Sequence, residues 1–288
     1  MRARAIVNGA VSVVNAIPAG KGAALGIGLR VGAEVALDRS GEVRVEGEAR
    51  AIDGGRLARA IAQRALERFG ASGLGAAIAV SSKIPPSRGL KSSSAVAVAV
   101  ALATLAALGA EASEEELLRL VAMTCKEAGV SITGAMDDAA ACLLGGLVAA
   151  DCEKMKLVAR HELPPGLMAL IMIPERTRPK VLVPIDRLRK FSRQCEQAFR
   201  LTLEGFWQPA MVLNGIVCSA ALGEPLLPAL EALEHGALAA GLSGTGPAIA
   251  AVCEAEAMAR LKEVWSAYRL PLLEAPLSNE RAEVRRLR

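Results

Sequence analysis

"IPPSRGLKSSSAVAVAVALATLAALG", Ile84 to Gly109, carries the reading that decides the fold. Two prolines end one element, a glycine and a lysine follow, and three serines open a long run of small apolar residues. The run from Ala95 to Ala110 spans about four helical turns. That is short of the roughly 20 residues a bilayer crossing requires, so it reads as a buried helix. Gly89, Leu90, Lys91, Ser92, Ser93 and Ser94 then stand at the N-terminal edge of that helix, where free backbone N–H groups and the positive end of the dipole converge. Gly89 permits a positive φ and a close approach of backbone to ligand, Arg88 and Lys91 add full charges, and the hydroxyls can reach phosphate oxygens or a magnesium ion. The same serines also fit a plainer role, one of them capping the helix with spare neighbours beside it.

The segments on either side supply the frame. "LGAAIAVSS" (74–82) reads as a buried strand running into the quoted stretch, and the residues from 54 to 69 repeat at helical spacing. "AIVNGAVSVVNAI" and "AALGIGLRVGAEVALD" are strands joined by "PAGKG", and "GEVRVEGEA" (41–49) alternates as an exposed strand does. "ASEEELLRLVAMTCKEAG" predicts a helix with Ser113 as N-cap, Glu116 completing a capping box and Gly129 marking its end. After "GGLVAADCE" the composition shifts, and "ELPPGLMALIMIPE" gives a turn before a new apolar strand, which places a domain boundary near residue 155. Helices follow at about 192–205 and 209–222 and in "PALEALEHG", and "ALAAGLSGTGPAIAAVCE" is a strand-turn-strand or a strand-turn-helix unit. The pattern predicts an α+β protein of two domains, 1–155 and 156–288, rather than repeating βαβ units.

Composition excludes several functions. The 288 residues are 52% hydrophobic but hold only seven aromatics, so an aromatic base-stacking platform is not available. The charge of +4 comes from 34 basic against 30 acidic residues, part of the excess lying in the terminal "RAEVRRLR", and nucleic-acid binding is not expected. Six cysteines occur with no C-x-x-C pair, which favours free thiols in a reducing cytoplasm over zinc or disulfides. The N-terminus lacks the continuous apolar core of a signal peptide, so neither secretion nor membrane insertion is expected.

With His161 and His235 alone, and neither in a glycine-rich or acidic cluster, Ser-His-Asp catalysis and histidine zinc sites have little to work with. The Walker loop G-x-x-x-x-G-K-[ST] is absent: at "NAIPAGKG" the first position is Asn15 and the last Gly22. No G-x-G-x-x-G opens a helix after a strand. Two further stretches join the first. "GLSGTGPAIAAV" (241–252) sets glycines 241, 244 and 246 between apolar segments, a backbone for a tight turn against a ligand or another loop. "CKEAGVSITGAMDDAAACLLGG" (125–146) puts Glu127 and the pair Asp137-Asp138 on either side of a glycine turn, as metal-capable carboxylates or as helix-capping groups.

Anion cradle, carboxylates and second glycine loop together resemble the GHMP kinase superfamily along nearly the whole chain. Against its central motif P-x-x-x-G-L-G-S-S-A-A, "PPSRGLKSSSA" keeps Pro85, Gly89, Leu90, Ser92 and Ser93 and replaces a glycine with Lys91. With "TGAMDDA" and "GLSGTGPA" the sequence is most similar to the archaeal-type shikimate kinase branch. The resemblance implies a ribosomal-S5-like N-terminal domain and a ferredoxin-like C-terminal domain. It implies a phosphate loop around ATP at Pro85, Pro86, Ser87, Arg88, Gly89, Leu90, Lys91, Ser92, Ser93 and Ser94, with Gly244, Thr245 and Gly246 beside it. It further implies Mg²⁺ on Ser93 and Glu127, and Asp138 as the catalytic carboxylate. Glu127 precedes Asp138 by eleven residues and Asp138 precedes Gly145-Gly146 by seven, both family separations. Asp137, about 100° away on the same helix, is left to helix capping. Transfer of the ATP γ-phosphoryl group to the 3-hydroxyl of shikimate follows as the expected reaction. Lys21, Arg178 and Lys180 are candidates for the substrate side, the two latter also readable as solvated charges before an edge strand. Homoserine kinase, whose family carries Asn where this chain has Asp138, is the enzyme alternative. An ATP- and sugar-binding sensor is the alternative without catalysis.

Overall fold

The computed structural model describes residues 1–47, 55–86 and 88–287, and for Lys180 its backbone alone. β1 (Arg2–Val14) and β2 (Lys21–Asp38) form a long antiparallel hairpin. The strand expected from "GEVRVEGEA" is β3 (Val43–Gly47), its last two residues lying outside the described ones, as does Gly54 of the helix expected next. β4 (Gly75–Ser82), β5 (Leu147–Asp151), β6 (Lys156–His161) and β11 (Glu283–Leu287) complete a seven-stranded sheet. Its order is β11-β1-β2-β4-β3, with β5 pairing β2 and β6 pairing β5. β2 is long enough to serve two partners, β5 along Lys21–Leu25 and β4 along Val31–Asp38. The sheet draws strands from both sides of residue 155, since β6 and the returning β11 lie in it. A second, antiparallel sheet runs β10 (Leu272–Pro276), β7 (Leu167–Met172), β9 (Ile249–Glu254), β8 (Ala239–Leu242). "ALAAGLSGTGPAIAAVCE" is therefore strand-turn-strand.

Helices cover the sheets in a mixed α+β arrangement of two domains. α1 (Arg56–Arg68) buries Leu57, Ile61, Ala65 and Leu66 on one stripe and exposes Arg56, Arg64 and Arg68. α2 (Ser92–Leu108) is apolar all round, and Ala95 to Ala101 are all buried. Such a helix must be enclosed on every side. It lies on β1 and β2 and is flanked by α1, α3 (Glu114–Glu127) and α4 (Met136–Leu144). Its one interior hydroxyl, on Thr104, returns to the Val100 carbonyl at 2.7 Å. At the start of α3 the Ser113 hydroxyl accepts the Glu116 N–H at 3.2 Å, while the Glu116 carboxylate faces Arg68 at 2.6 Å.

α5 (Ile185–Arg189) and α6 (Ser192–Leu203) pack on α7 (Trp207–Leu222), α6 also reaching β1, β2 and β5 of the first sheet, while α7, α8 (Leu227–Glu234) and α9 (Met258–Ser266) lie on the second sheet. α7 packs on β8 and also on β1, so the two sheets meet through it. Pro209 falls in its first turn, where a missing N–H removes no helical hydrogen bond. All six cysteines are buried and unpaired. No helix among the described residues is long and apolar enough to cross a membrane. The consequence for function is a convergence: the start of α2, the end of β1, the start of α4 and the β8–β9 turn all open on one cavity.

Candidate active site

The cavity holds about 410 Å³. On one wall α2 begins directly after Lys91, which occupies the N-cap position in the left-handed conformation (φ 60°) and makes no capping hydrogen bond with its side chain. Serine capping is thus not how this helix starts. Ala95 N–H closes the first helical bond to the Lys91 carbonyl at 3.0 Å, leaving the N–H groups of Ser92, Ser93 and Ser94 as the unpaired donors of the helix end. Gly89 turns the chain into this start at φ 88°, and a Cβ on it would lie 2.2 Å from the Ser243 carbonyl oxygen.

The β8–β9 turn is fastened to that loop by polar side chains buried in β1. Ser243 Oγ donates to the Gly89 carbonyl at 2.8 Å and accepts the Ser12 N–H at 3.2 Å, while Ser12 Oγ accepts the Gly244 N–H at 2.9 Å. Asn15 Nδ2 donates to the Gly244 carbonyl at 2.9 Å, and the Asn15 N–H donates to Asn214 Oδ1 at 2.9 Å. Ala248 N–H donates to the Arg88 carbonyl at 3.1 Å. Two glycine loops more than 150 residues apart in the chain are thereby held edge to edge. Their backbone curvature suits the oxygens of a polyphosphate.

Opposite, α4 begins with Asp137 and Asp138. Lys91 Nζ lies 2.9 Å from Asp138 Oδ1, with the two side chains only 9% and 13% exposed. The two groups form a buried ion pair. Burial alone would lower the Lys91 ammonium; the charges of Asp138 and then Asp137 outweigh it and hold the group above the ordinary lysine value. Asp137 does not cap its helix, whose N-cap is Ala135. Its carboxyl is 3% exposed and accepts the Cys152 thiol at 3.3 Å. Burial, then repulsion from Asp138, pushes it up to about 7 against the opposing pull of Lys91. Burial and then the Asp138 charge push the cavity-lining Cys125 thiol up to about 12, which leaves it neutral.

Of the residues marked in the sequence, Gly89, Lys91, Ser92, Ser93, Ser94, Asp138, Arg178, Gly244, Thr245 and Gly246 line this one cavity. Leu90 is buried in the core beneath it. Pro85 and Pro86 shape the approach without lining it, and Ser87 lies outside the described residues. Arg88 points away: its guanidinium donates to the carbonyls of Pro174 and Arg176. Glu127 is not brought to the cavity either. Its carboxylate, at the exposed end of α3, pairs with Arg64. Lys21 lies off the cavity at the start of β2, paired with Glu196 at 2.9 Å. Arg178 pairs with Glu224, a carboxylate with no exposed side-chain surface that Arg176 also holds, and donates to the Leu222 carbonyl at 3.1 Å. Lys180 follows the cavity-lining Pro179 in a short 3-10 turn.

Ser12, Asn15, Ser131, Thr133, Ser243, Leu57 and Ala58 were not marked beforehand. For Ser12 and Asn15 a signal existed, as polar residues buried in the apolar strand "GAVSVVNAI" require partners. Nothing local distinguishes Leu57 or Thr133.

Residues 56–146 match the model of the GHMP kinases N terminal domain, and residues 196–269 match that of the GHMP kinases C terminal. A shikimate kinase from Methanothrix thermoacetophila is 39% identical over 284 residues, covering 99% of this chain and 96% of that protein. One from Thermococcus kodakarensis is 41% identical over 255 residues, covering 86% and 91%. Among solved structures, a homoserine kinase from Cytophaga hutchinsonii superposes with a TM-score of 0.77 at 20% identity, covering 98% of this chain and 97% of that one. The Methanococcus jannaschii mevalonate kinase does so with 0.74 at 13%, covering 96% and 98%. The two structural likenesses bear on the fold alone.

Two outcomes are expected at this site. Gly89→Ala places a methyl against the Ser243 carbonyl and should weaken ATP binding at least about tenfold, read by calorimetry on folded protein, since backbone at this contact cannot yield cheaply. An ATP affinity equal to the wild type would show that the loop is not the phosphate cradle. For Asp137, the folded carboxyl titrates near 7, above its unfolded value, so its contribution to stability is complete below the unfolded pKa and is lost as pH rises through 7. The stability of Asp137→Asn relative to wild type should therefore rise between pH 5 and pH 8, by roughly 1 kcal/mol or more, in paired urea titrations. A difference independent of pH would contradict the raised carboxyl.

Proposed function

The chain belongs to the GHMP kinases, and we propose that it is an ATP-dependent shikimate kinase, transferring the γ-phosphoryl group to the 3-hydroxyl of shikimate. The observation that carries the reading is the buried Asp138 carboxylate, paired with Lys91 at 2.9 Å in the cavity that also holds the α2 N-terminus and both glycine loops. A carboxylate has two oxygens and can accept a hydroxyl donor beside the ammonium, and an acceptor alcohol supplies one. The choice of shikimate rests on relatives of 36–41% identity that bear that name.

Positioning and charge stabilisation are the main tasks of a phosphoryl-transfer site. The N–H groups of Ser92 to Ser94 and the loop Gly244 to Gly246 cradle the ATP phosphates. Asp138 orients the acceptor hydroxyl and takes its proton. Ser93 is the residue of the cavity that would hold Mg²⁺, a hard cation that keeps several waters and takes substrate phosphates among its ligands. Bound there, the ion would neutralise charge on the β- and γ-phosphates. Glu127, turned to Arg64, is not part of that set. Arg178, mostly buried and on the cavity wall, suits the carboxylate of shikimate, with Lys180 beside it in the chain; Lys21, occupied by Glu196, does not enter. The division into a phosphate-loop half (1–155) and a half carrying the third glycine motif (156–288) is kept as a functional one. A small-molecule enzyme with six buried free thiols fits the cytoplasm.

Purified protein with ATP and Mg²⁺ should phosphorylate shikimate far faster than homoserine, mevalonate or galactose. Turnover of homoserine equal to that of shikimate would move the assignment to the homoserine kinases, and ATP binding without turnover of any alcohol would favour the sensor. Asp138→Asn should lower kcat by about 10²-fold or more with ATP affinity retained, the usual scale for losing a general base.

A further inference from the structure

We propose that Lys91 is itself a catalytic residue, its ammonium serving as a counter-charge shared between Asp138 and the phosphoryl group in transit. The inference rests on the kinase reading above and goes beyond a phosphate loop made of backbone N–H groups. Its ground is placement. The ammonium lies 2.9 Å from Asp138 Oδ1, and a Cβ on Gly244 would come within 2.9 Å of the same nitrogen. Lys91 Nζ is therefore lodged between the carboxylate and the third glycine loop, on the side where the phosphates are cradled. The backbone is bent to put it there, since Lys91 holds a left-handed conformation that disfavours any residue with a Cβ. Glycine would fill that conformation without strain, and only the side chain gives a reason for lysine.

Among the described side chains, the other cations near the site have partners elsewhere. Lys21 faces Glu196, the Arg88 guanidinium is turned to two carbonyls, and Arg178 is held by Glu224. Lys91 is the cation on Asp138 and the one that a change of charge at Asp138 must affect.

The step itself makes that change. The acceptor hydroxyl gives its proton to Asp138, and its oxygen forms a bond to the γ-phosphorus. The bond from that phosphorus to the β,γ-bridging oxygen breaks, and its electron pair stays on ADP. Before transfer the ammonium neutralises the Asp138 carboxylate. As the proton arrives, Asp138 becomes neutral and the full positive charge of Lys91 is available to the phosphoryl oxygens. A charge released only as the reaction proceeds stabilises the transition state more than the bound substrates, which is the condition for raising kcat.

The test compares Lys91→Gly, which suits the backbone, with Lys91→Met, which keeps the length of the side chain and removes its charge. Each variant is first checked for folding by circular dichroism and thermal melting. In both, kcat at saturating shikimate should fall about 10²-fold or more, while the affinity for the magnesium complex of a non-hydrolysable ATP analogue, measured by calorimetry, changes less than about tenfold. Methylammonium or ethylammonium should restore part of the kcat of Lys91→Gly saturably and leave the wild type unchanged, because the lost side chain leaves room for a small cation. A kcat within about threefold of wild type in either folded variant overturns the proposal. So does loss of nucleotide affinity with kcat preserved, the signature of a ground-state phosphate clamp. If wild-type protein phosphorylates a different alcohol from the panel, the acceptor assignment falls while Lys91 is judged by the same ratios on that alcohol.

Discussion

The site depends on one seam of hydrogen bonds, in which Ser243 Oγ bridges the Gly89 carbonyl and the Ser12 N–H. Loops that approach a ligand by their backbone have few side chains with which to hold themselves, and buried carbonyls left unpaired cost more than a hydrogen bond returns. The fold answers by sending polar residues from a central strand. Ser12 of β1 and Asn15 just past its end satisfy Gly244 on its N–H and its carbonyl. Asn214 on α7 in turn satisfies the Asn15 N–H, so the helix joining the two sheets also secures the loop contact. A displacement of either domain would have to break these bonds together, which makes the geometry of the cradle a property of the domain pairing rather than of either loop.

The second constraint is charge. Three ionisable groups, Lys91, Asp137 and Asp138, are packed where water is largely excluded, and their formal sum is negative if all are ionised. The arrangement resolves this unevenly. Asp137, deepest and bonded to a neutral thiol, is the one whose carboxyl is pushed toward neutrality, while Lys91 keeps its charge for the outer aspartate. The inner carboxyl thus leaves Lys91 to pair with the outer aspartate. Adjacent carboxylates with diverging environments take diverging roles, and here depth separates them.

Much of this was legible in the sequence. The strand-loop-helix unit from Gly75 to Leu108, the two glycine stretches and the aspartate pair are local patterns, and local patterns report backbone conformation well. What did not follow was the direction of long side chains. Glu127 lies at the family separation from Asp138, yet separation along the chain says nothing about which way a carboxylate at a helix end turns, and Arg64 on the neighbouring helix captures it. Lys21 and Arg88 diverge for the same reason, each finding a partner supplied by the other half of the chain, Glu196 in one case and the carbonyls of Pro174 and Arg176 in the other. Asp137 looked like a cap because acidic residues in a first turn usually are; its burial is set by Cys152 and β2, which no local window contains.

Arg88 shows where the two halves join in function. It leaves the phosphate loop, yet by gripping the carbonyls of Pro174 and Arg176 it ties that loop to the segment that carries Arg178. Arg176 and Arg178 share the buried Glu224, so the segment is clamped at one end by a carboxylate on the second domain and at the other by a guanidinium from the first. A buried carboxylate with two guanidiniums leaves one positive charge uncompensated, and Arg178 is the member of the pair on the cavity wall. The clamp therefore fixes Arg178 on the cavity wall and holds it in register with the loop before α2 through Arg88, whose own guanidinium is turned away from the cavity.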